Sequence, residues 1–311
     1  MNNEKNYLNA LKDILENGEK RTTRNSITIS KFSIKMDFDI RNSFPLLTTK
    51  KVYWKGVLHE LLWFIKADTN SKNLENNNVN IWKSNSSRNF LDNNKLCEYE
   101  EGDCGPIYGF QWRHFGAKYE GINYNYNDIG IDQLQNCINL IKNDPYSRRI
   151  FMSAWNPIQL NEMCLPPCHV SYQFYVSDKN ELSCIMYQRS GDMFLGIPFN
   201  IASVSLLTYI ISHITDKKPG FISIIIGDAH IYENHIEQVK IQLERVPYEP
   251  PTLKINKKYL DTMNLSDNSY SDKELFSGER SSYENINDYK FENFELENYK
   301  CHGSIKAEMV A

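Results

Sequence analysis

Hydrophobic residues change their spacing along this chain, and each change marks an element. Tyr7 to Glu16 carries apolar positions at helical spacing and stops near Gly18, which predicts a short amphipathic helix. Arg21 to Asn25 is polar and reads as a loop, and Ile27 to Met36 alternates in part, as a strand does. Phe44 to Lys50 reads as a turn leading into a helix start, and Trp54 to Ile65 as a strongly apolar helix with Glu60 embedded in it. Asn70 to Asn94 is polar and mixed, interrupted by Ile81-Trp82. Gly102 to Gly109 reads as a loop leading into Gln111-Trp112-Arg113, and Ile131 to Lys142 as a helix ended by Asn143-Asp144-Pro145. Strands are expected at Arg149 to Trp155, His169 to Val176, Leu182 to Gln188 and Phe221 to Ile226. Helices are expected at Ile201 to Ile214 and at Ala229 to Glu244, the latter ended by Pro247, and an edge strand begins at Leu253-Lys254-Ile255. The pattern is α+β, a mixed sheet flanked by long helices. No repeat and no linker divides residues 1–311, which read as one domain with a polar surface insertion at about 261–287.

Composition narrows the class. In 311 residues the hydrophobic share is 41%, enough for an ordinary core, and the net charge of -4 disfavours a general nucleic-acid binder. A small anion held by a few arginines remains open. The N-terminal residues are mostly polar, unlike a signal peptide, and the longest apolar runs, such as Phe221 to Gly227, read as too short for a membrane span. Seven scattered cysteines form no CxxC pair, which argues against structural zinc and for a reducing compartment; cytoplasm is expected.

Candidate chemistry centres on Leu165-Pro166-Pro167-Cys168-His169. The prolines fix the backbone and remove two donors, so a strand should begin only after them, with a thiol at the junction. Cys168 has two readings at this point, a plain buried thiol or a nucleophile on a rigid support. Glu60 in an apolar helix is costly without partners or a task. Tyr187 to Asn200 combines Gln188, Arg189, Ser190, Gly191, Asp192, Gly196 and Asn200, as in the wall of a polar-ligand site. Arg148 and Arg149, if adjacent on a strand, point to opposite faces. Asp228 to Tyr232 reads as the end of a strand and start of a helix; Asp228 is then a cap, or His230 and Tyr232 hold ligand hydroxyls near a helix terminus. No GxGxxG, Walker A or HExxH motif is present.

Taken together, the segments resemble the thymidylate synthase family over nearly the whole chain. The resemblance rests on Phe44-Pro45-Leu46-Leu47-Thr48-Thr49-Lys50, His59-Glu60-Leu61-Leu62-Trp63-Phe64, Gly105 to Arg113 and Ser147-Arg148-Arg149. It continues through Pro166-Pro167-Cys168-His169, Gln188 to Asp192, Pro198 to Ser203, Gly227 to Tyr232 and the tail Ile305 to Met309. Gln111 to Ala117 is similar to eukaryotic or viral members.

The resemblance implies conversion of dUMP to dTMP with 5,10-methylenetetrahydrofolate, without metal or nicotinamide. It implies Cys168 as the nucleophile at uracil C6, with Arg189 favouring the thiolate. Glu60 and Tyr108 would handle protons, Asn200 the O4 and N3 edge of uracil, and His230 and Tyr232 the 3'-hydroxyl. His169, Gln188, Ser190 and Gly191 fall on the substrate side. Lys50, Ile81, Trp82, Asn85, Asp192, Leu195, Gly196, Phe199, Tyr232 and Met309 would meet the folate, with the C-terminal tail closing over both ligands. It implies a homodimer with sheets stacked at the interface. Arg148 and Arg149 would then reach the partner's nucleotide phosphate beside Arg21, Arg189 and Ser190 of the home subunit.

The chain also departs from the family pattern. Arg21-Thr22-Thr23-Arg24-Asn25 lacks the two glycines usual there, Phe194 is bulkier than the glycine or valine common at its position, and the chain ends in a small Ala311. Two other classes stay open, an inactive relative that binds nucleotide or RNA, and an interaction role centred on the polar insertion.

Overall fold

A computed structural model describes residues 3–23, 26–256 and 285–310. The helices are α1 (Glu4–Asn17), α2 (Trp54–Ile65), α3 (Ser71–Glu75), α4 (Arg88–Asn93), α5 (Tyr108–His114), α6 (Gln133–Asn143), α7 (Gly196–Ile214) and α8 (Ile236–Leu243). The strands are β1 (Glu19–Thr22), β2 (Ile27–Asp39), β3 (Phe151–Ser153), β4 (His169–Val176), β5 (Glu181–Asp192), β6 (Lys218–Tyr232), β7 (Thr252–Ile255) and β8 (Phe294–Glu297). Six strands form one mixed sheet in the order β1-β2-β6-β5-β4-β3, and β7 pairs with β8 apart from it.

Every pair in the large sheet is antiparallel except β5 with β6. A parallel pair needs a crossover, and α7 supplies it. Because β5 and β6 run together, Asp192 lies opposite His230 at the strand ends, where α7 begins. In sheets with such crossovers, ligands bind beyond the carboxyl ends of the strands. Helix α7 is 19 residues and apolar enough to cross a membrane by length and composition, unlike the runs weighed from the sequence. It is apolar on all sides because it is core: Ile201, Leu206, Ile210 and Ile211 are fully buried.

Several elements differ from the expectations. Ala229 to Glu244 is not one helix. β6 continues through Tyr232, since Ser190, Gly191 and Asp192 pair with it on one side and Thr28 to Phe32 on the other. Asp228 is therefore a strand residue rather than a cap. Arg21 lies in β1, paired with Thr28, rather than in a loop. Arg148 and Arg149 lie in a turn before β3, and both are exposed, so the opposite-face argument does not apply. No helix begins at Phe44 to Lys50. The buried Glu4 carboxylate accepts the Thr48 and Thr49 N–H groups at 2.8 Å each and both hydroxyls, at 2.7 and 2.5 Å. Most of the proposed 261–287 insertion, together with Arg24, Asn25 and Ala311, lies outside the described residues. Of its last three residues, Asn285 and Asn287 are exposed and Ile286 is fully buried.

Candidate active site

Helices α2 and α5, the starts of β4 and α7, the ends of β5 and β6, and the C-terminal tail converge on a cavity of about 460 Å³. A groove of similar size, about 480 Å³, lies between α1 and β2 but gathers no comparable chemistry.

Cys168 sits where the proline-stiffened segment meets β4, as its sequence requires. Its backbone N–H donates to the Tyr108 hydroxyl at 2.8 Å. Arg189 Nη2 lies 3.8 Å from Cys168 Sγ. The guanidinium is aimed by carbonyls: Nε donates to Pro167 O at 2.9 Å and Nη2 to Pro166 O at 3.0 Å. The prolines thus do more than delay a strand, since their carbonyls hold the arginine against the thiol. Burial nonetheless pushes the Cys168 thiol above its ordinary pKa, outweighing the downward pull of Arg189 and Tyr108. The arginine favours the thiolate, as expected, without winning.

Helix α2 delivers Glu60 to the cavity wall. Trp82 Nε1 donates to its carboxylate at 2.7 Å, and burial pushes the carboxyl up to about 7 despite that bond. Gly109 lets α5 approach, for a Cβ there would lie 2.4 Å from the Phe64 carbonyl oxygen. Tyr108 is thereby set on one helix and Glu60 on the other, facing one space. Burial also raises the Tyr108 phenol and pulls the His169 imidazole down to about 4, so both are neutral near pH 7.

Gln188 holds the opposite wall. Its Nε2 donates to Asn200 Oδ1 at 3.1 Å and to Ser190 O at 2.9 Å. Its Oε1 is buried without a hydrogen-bond partner among the described residues, an arrangement a bound donor would repair. Gly191 is tight as well; a Cβ would lie 2.5 Å from Ile197 Cδ1. Asp192 Oδ1 accepts from the Phe194 and Leu195 N–H groups at 2.9 and 3.2 Å. His230 and Tyr232, two apart on a strand, share a face and reach the cavity from β6.

Cys168, His169, Glu60, Tyr108, Gln188, Ser190, Gly191, Asp192, Asn200, His230 and Tyr232 therefore meet in one place, with Ile81, Trp82, Asn85, Leu195, Gly196, Phe199 and Met309 on the apolar side. Lys50 is not brought in. It is buried behind the wall, bonded to Phe194 O, with its ammonium 3.6 Å from the Phe194 ring centre, and burial lowers it to about 7. Arg21 does not line the cavity and pairs with Asp228 at 2.7 Å. Arg148 and Arg149 do not line the cavity and make no ion pair with a described residue. Phe64, Leu165 and Val310 also line it. Phe64 and Leu165 were visible in the sequence only as motif neighbours, and Val310 only as the residue beside Met309. Among the described residues, no cluster of His, Cys, Asp or Glu is placed to hold a metal ion.

The sequence matches known proteins. The family model described as thymidylate synthase matches residues 5–311. A human thymidylate synthase is 50% identical over 305 residues, covering 98% of this chain and 90% of that protein. A bifunctional dihydrofolate reductase-thymidylate synthase of Plasmodium chabaudi is 47% identical over 306 residues, 98% of this chain and 48% of its own length. An Arabidopsis thaliana bifunctional enzyme is 54% identical over 264 residues, 84% of this chain and 46% of its own. The chain thus spans about half the length of those bifunctional relatives. A family model spanning all but the first four residues shows that the chain belongs to the thymidylate synthase family.

Proposed function

We propose that the chain methylates dUMP to dTMP, using 5,10-methylenetetrahydrofolate and releasing dihydrofolate. The observation that carries this reading is the meeting of Cys168, Tyr108, Glu60 and Asn200 around one cavity with an aromatic wall. The Cys168 thiolate adds to uracil C6, and the electron pair moves to C5 and O4, making C5 nucleophilic. Arg189 stabilises the thiolate before addition and again when the C–S bond breaks. Asn200, fixed by Gln188, offers an acceptor and a donor to the O4 and N3 edge. Glu60, titrating near 7, and neutral Tyr108 are matched to moving the C5 proton near neutral pH. His230 and Tyr232 are assigned to the 3'-hydroxyl.

The apolar wall suits a folate. Trp82, Ile81, Leu195, Phe199 and Met309 would enclose its ring system, with Asn85, Gly196 and Asp192 at the edge. When bound, the folate supplies the one-carbon unit and the hydride that completes the methyl group. Neither a metal nor a nicotinamide enters this reading.

We also assign the chain to a homodimer with shared sites. Phe151, Tyr175, Ile185, Tyr187 and Phe221 share one face of the large sheet by register and are 40–68% exposed. Such a patch favours a partner surface. Arg148 and Arg149 then serve the partner's phosphate, with Arg21, Arg189 and Ser190 at home. Residues 1–311 act as one catalytic domain, and the free cysteines suit a reducing cytoplasm.

The test is an assay with dUMP and methylenetetrahydrofolate, following dihydrofolate absorbance and identifying dTMP by mass. Equal yields of both products, lost in Cys168→Ala while dUMP binding persists, are expected. Turnover surviving in Cys168→Ala would remove the nucleophile assignment, and absence of dTMP from the folded wild type would remove the reaction.

A further inference from the structure

His235 is completely buried, three residues past Tyr232, and touches two parts of the site at once. Its Nε2 lies 2.7 Å from the Glu308 carbonyl oxygen. A carbonyl only accepts, so Nε2 carries a proton and donates to the C-terminal tail. Glu308 immediately precedes Met309, which lines the cavity. The other nitrogen, Nδ1, faces Asp192 Oδ1 at 3.8 Å, too far for a hydrogen bond, and has no such partner among the described residues. Phe194 and Tyr232 hold the ring in place, with centroids at 5.5 and 5.6 Å.

This geometry suits the cation better than the neutral ring. With one proton committed to Nε2, neutral His235 turns a bare lone pair toward a carboxylate in a buried place. A second proton makes Nδ1 a donor aimed at Asp192, and a small closure from 3.8 Å would complete the pair.

We propose that His235 is a positioning residue whose protonated form fastens the C-terminal tail to Asp192, holding the tail over the cavity and the carboxylate toward the folate. This rests on the function proposed above. Titratable and charged groups act on the ring from three directions: Asp192 from β5, Lys50 from the segment before α2 and Tyr232 from the end of β6, while the tail offers it the Glu308 carbonyl. Burial raises the Tyr232 phenol, so it stays neutral. Burial lowers the imidazole, but the Asp192 carboxylate and the Glu308 carbonyl raise it by more, against the opposing charge of Lys50. The net direction is up. The latch is therefore fully present below the ordinary imidazole value of about 6.5 and is lost as pH rises through the higher value in the folded chain.

The full chain should be compared with His235→Gln, whose amide still donates to the Glu308 carbonyl but cannot become cationic. Between about pH 6 and 9 the folate KM of the wild type should rise with pH. In the variant it should be roughly ten-fold higher at the acid end and rise less with pH than in the wild type, with the Kd for dUMP alone within about two-fold of wild type. A pH dependence as steep in the variant as in the wild type, or equal losses in dUMP and folate binding, would overturn the proposal. A second measurement needs no activity: carboxypeptidase release of the tail, normalised to a free peptide of the same sequence. Release should quicken with pH in the wild type and be fast throughout in the variant; equal protection in both chains would also overturn it. Protection that follows pH in an inactive wild-type chain would support the latch and count against the proposed reaction, so the two readings fail separately.

Discussion

At the scale of single residues, the site is built by withholding water. Burial raises the Glu60 carboxyl to about 7, even though Trp82 donates to it. The folded chain then binds more protons than the unfolded chain between the ordinary glutamate value and about 7. The stability contribution is fully present below the ordinary value and falls as pH rises through about 7, by on the order of 3 kcal/mol. Glu60→Gln keeps an acceptor for Trp82 and removes the ionisation. Its melting temperature should exceed that of the wild type above pH 7 and match it near pH 4, while kcat falls roughly 10²-fold or more. Melting curves across that range check this, and a difference independent of pH would show that Glu60 is not the group being charged. Lys50 shows the same physics without the same placement. Its motif pointed to folate, yet its stem carries the ammonium inward to Phe194, a contact that sequence spacing does not encode.

At the scale of elements, what matters is how closely two helices and a parallel strand pair meet. Gly109 is the contact point between α5 and α2, with no room for a side chain beside the Phe64 carbonyl. Gly109→Ala should push the helices apart, costing about 1–3 kcal/mol. Because Tyr108 and Glu60 sit on different helices, kcat should also fall by roughly 10-fold to 10²-fold. Denaturant unfolding and initial rates measure the two effects, and loss of stability with kcat intact would show that the contact does not set the site. Some elements were legible from local pattern alone: α2 occupies Trp54–Ile65 and β4 occupies His169–Val176, because apolar spacing and proline punctuation agree there. Others were not. No breaker separates β6 from the helix after it, and only pairing on both sides keeps Ala229 to Tyr232 extended. Helix α7 starts at Gly196 rather than Ile201, since Pro198 falls in its first turn, where an N–H has no intrahelical partner to lose. The motif residues of the cavity could be read as segments, but their convergence depends on strand register and on the crossover through α7. His235 was hidden for the same reason, inside a stretch read as helix.

At the scale of the whole molecule, the sheet has one face packed by α7 and another carrying Tyr175, Ile185 and Phe221 in the open. Apolar residues on both faces of a strand read in sequence as complete burial, so this uncovered face was not legible from alternation. On the homodimer proposed above, a second copy packed there would bring Arg148 and Arg149, which are exposed and stand outside the cavity, to its partner's site. Sharing has a consequence that a self-contained site does not. A homodimer of Arg149→Ala has two damaged phosphate sites, and one of Cys168→Ala has two sites without a thiol. In the mixed dimer, the chain that keeps Cys168 receives Arg149 from its partner, and that site is whole; the other site carries both lesions. Random reassortment makes half the dimers mixed, so about a quarter of wild-type activity should return, at a level set by mixing alone. Refolding the two variants together and measuring dTMP formation against the fraction of mixed dimer, determined by mass, is the check. Mixed dimers that stay inactive would place Arg149 in its own subunit's site.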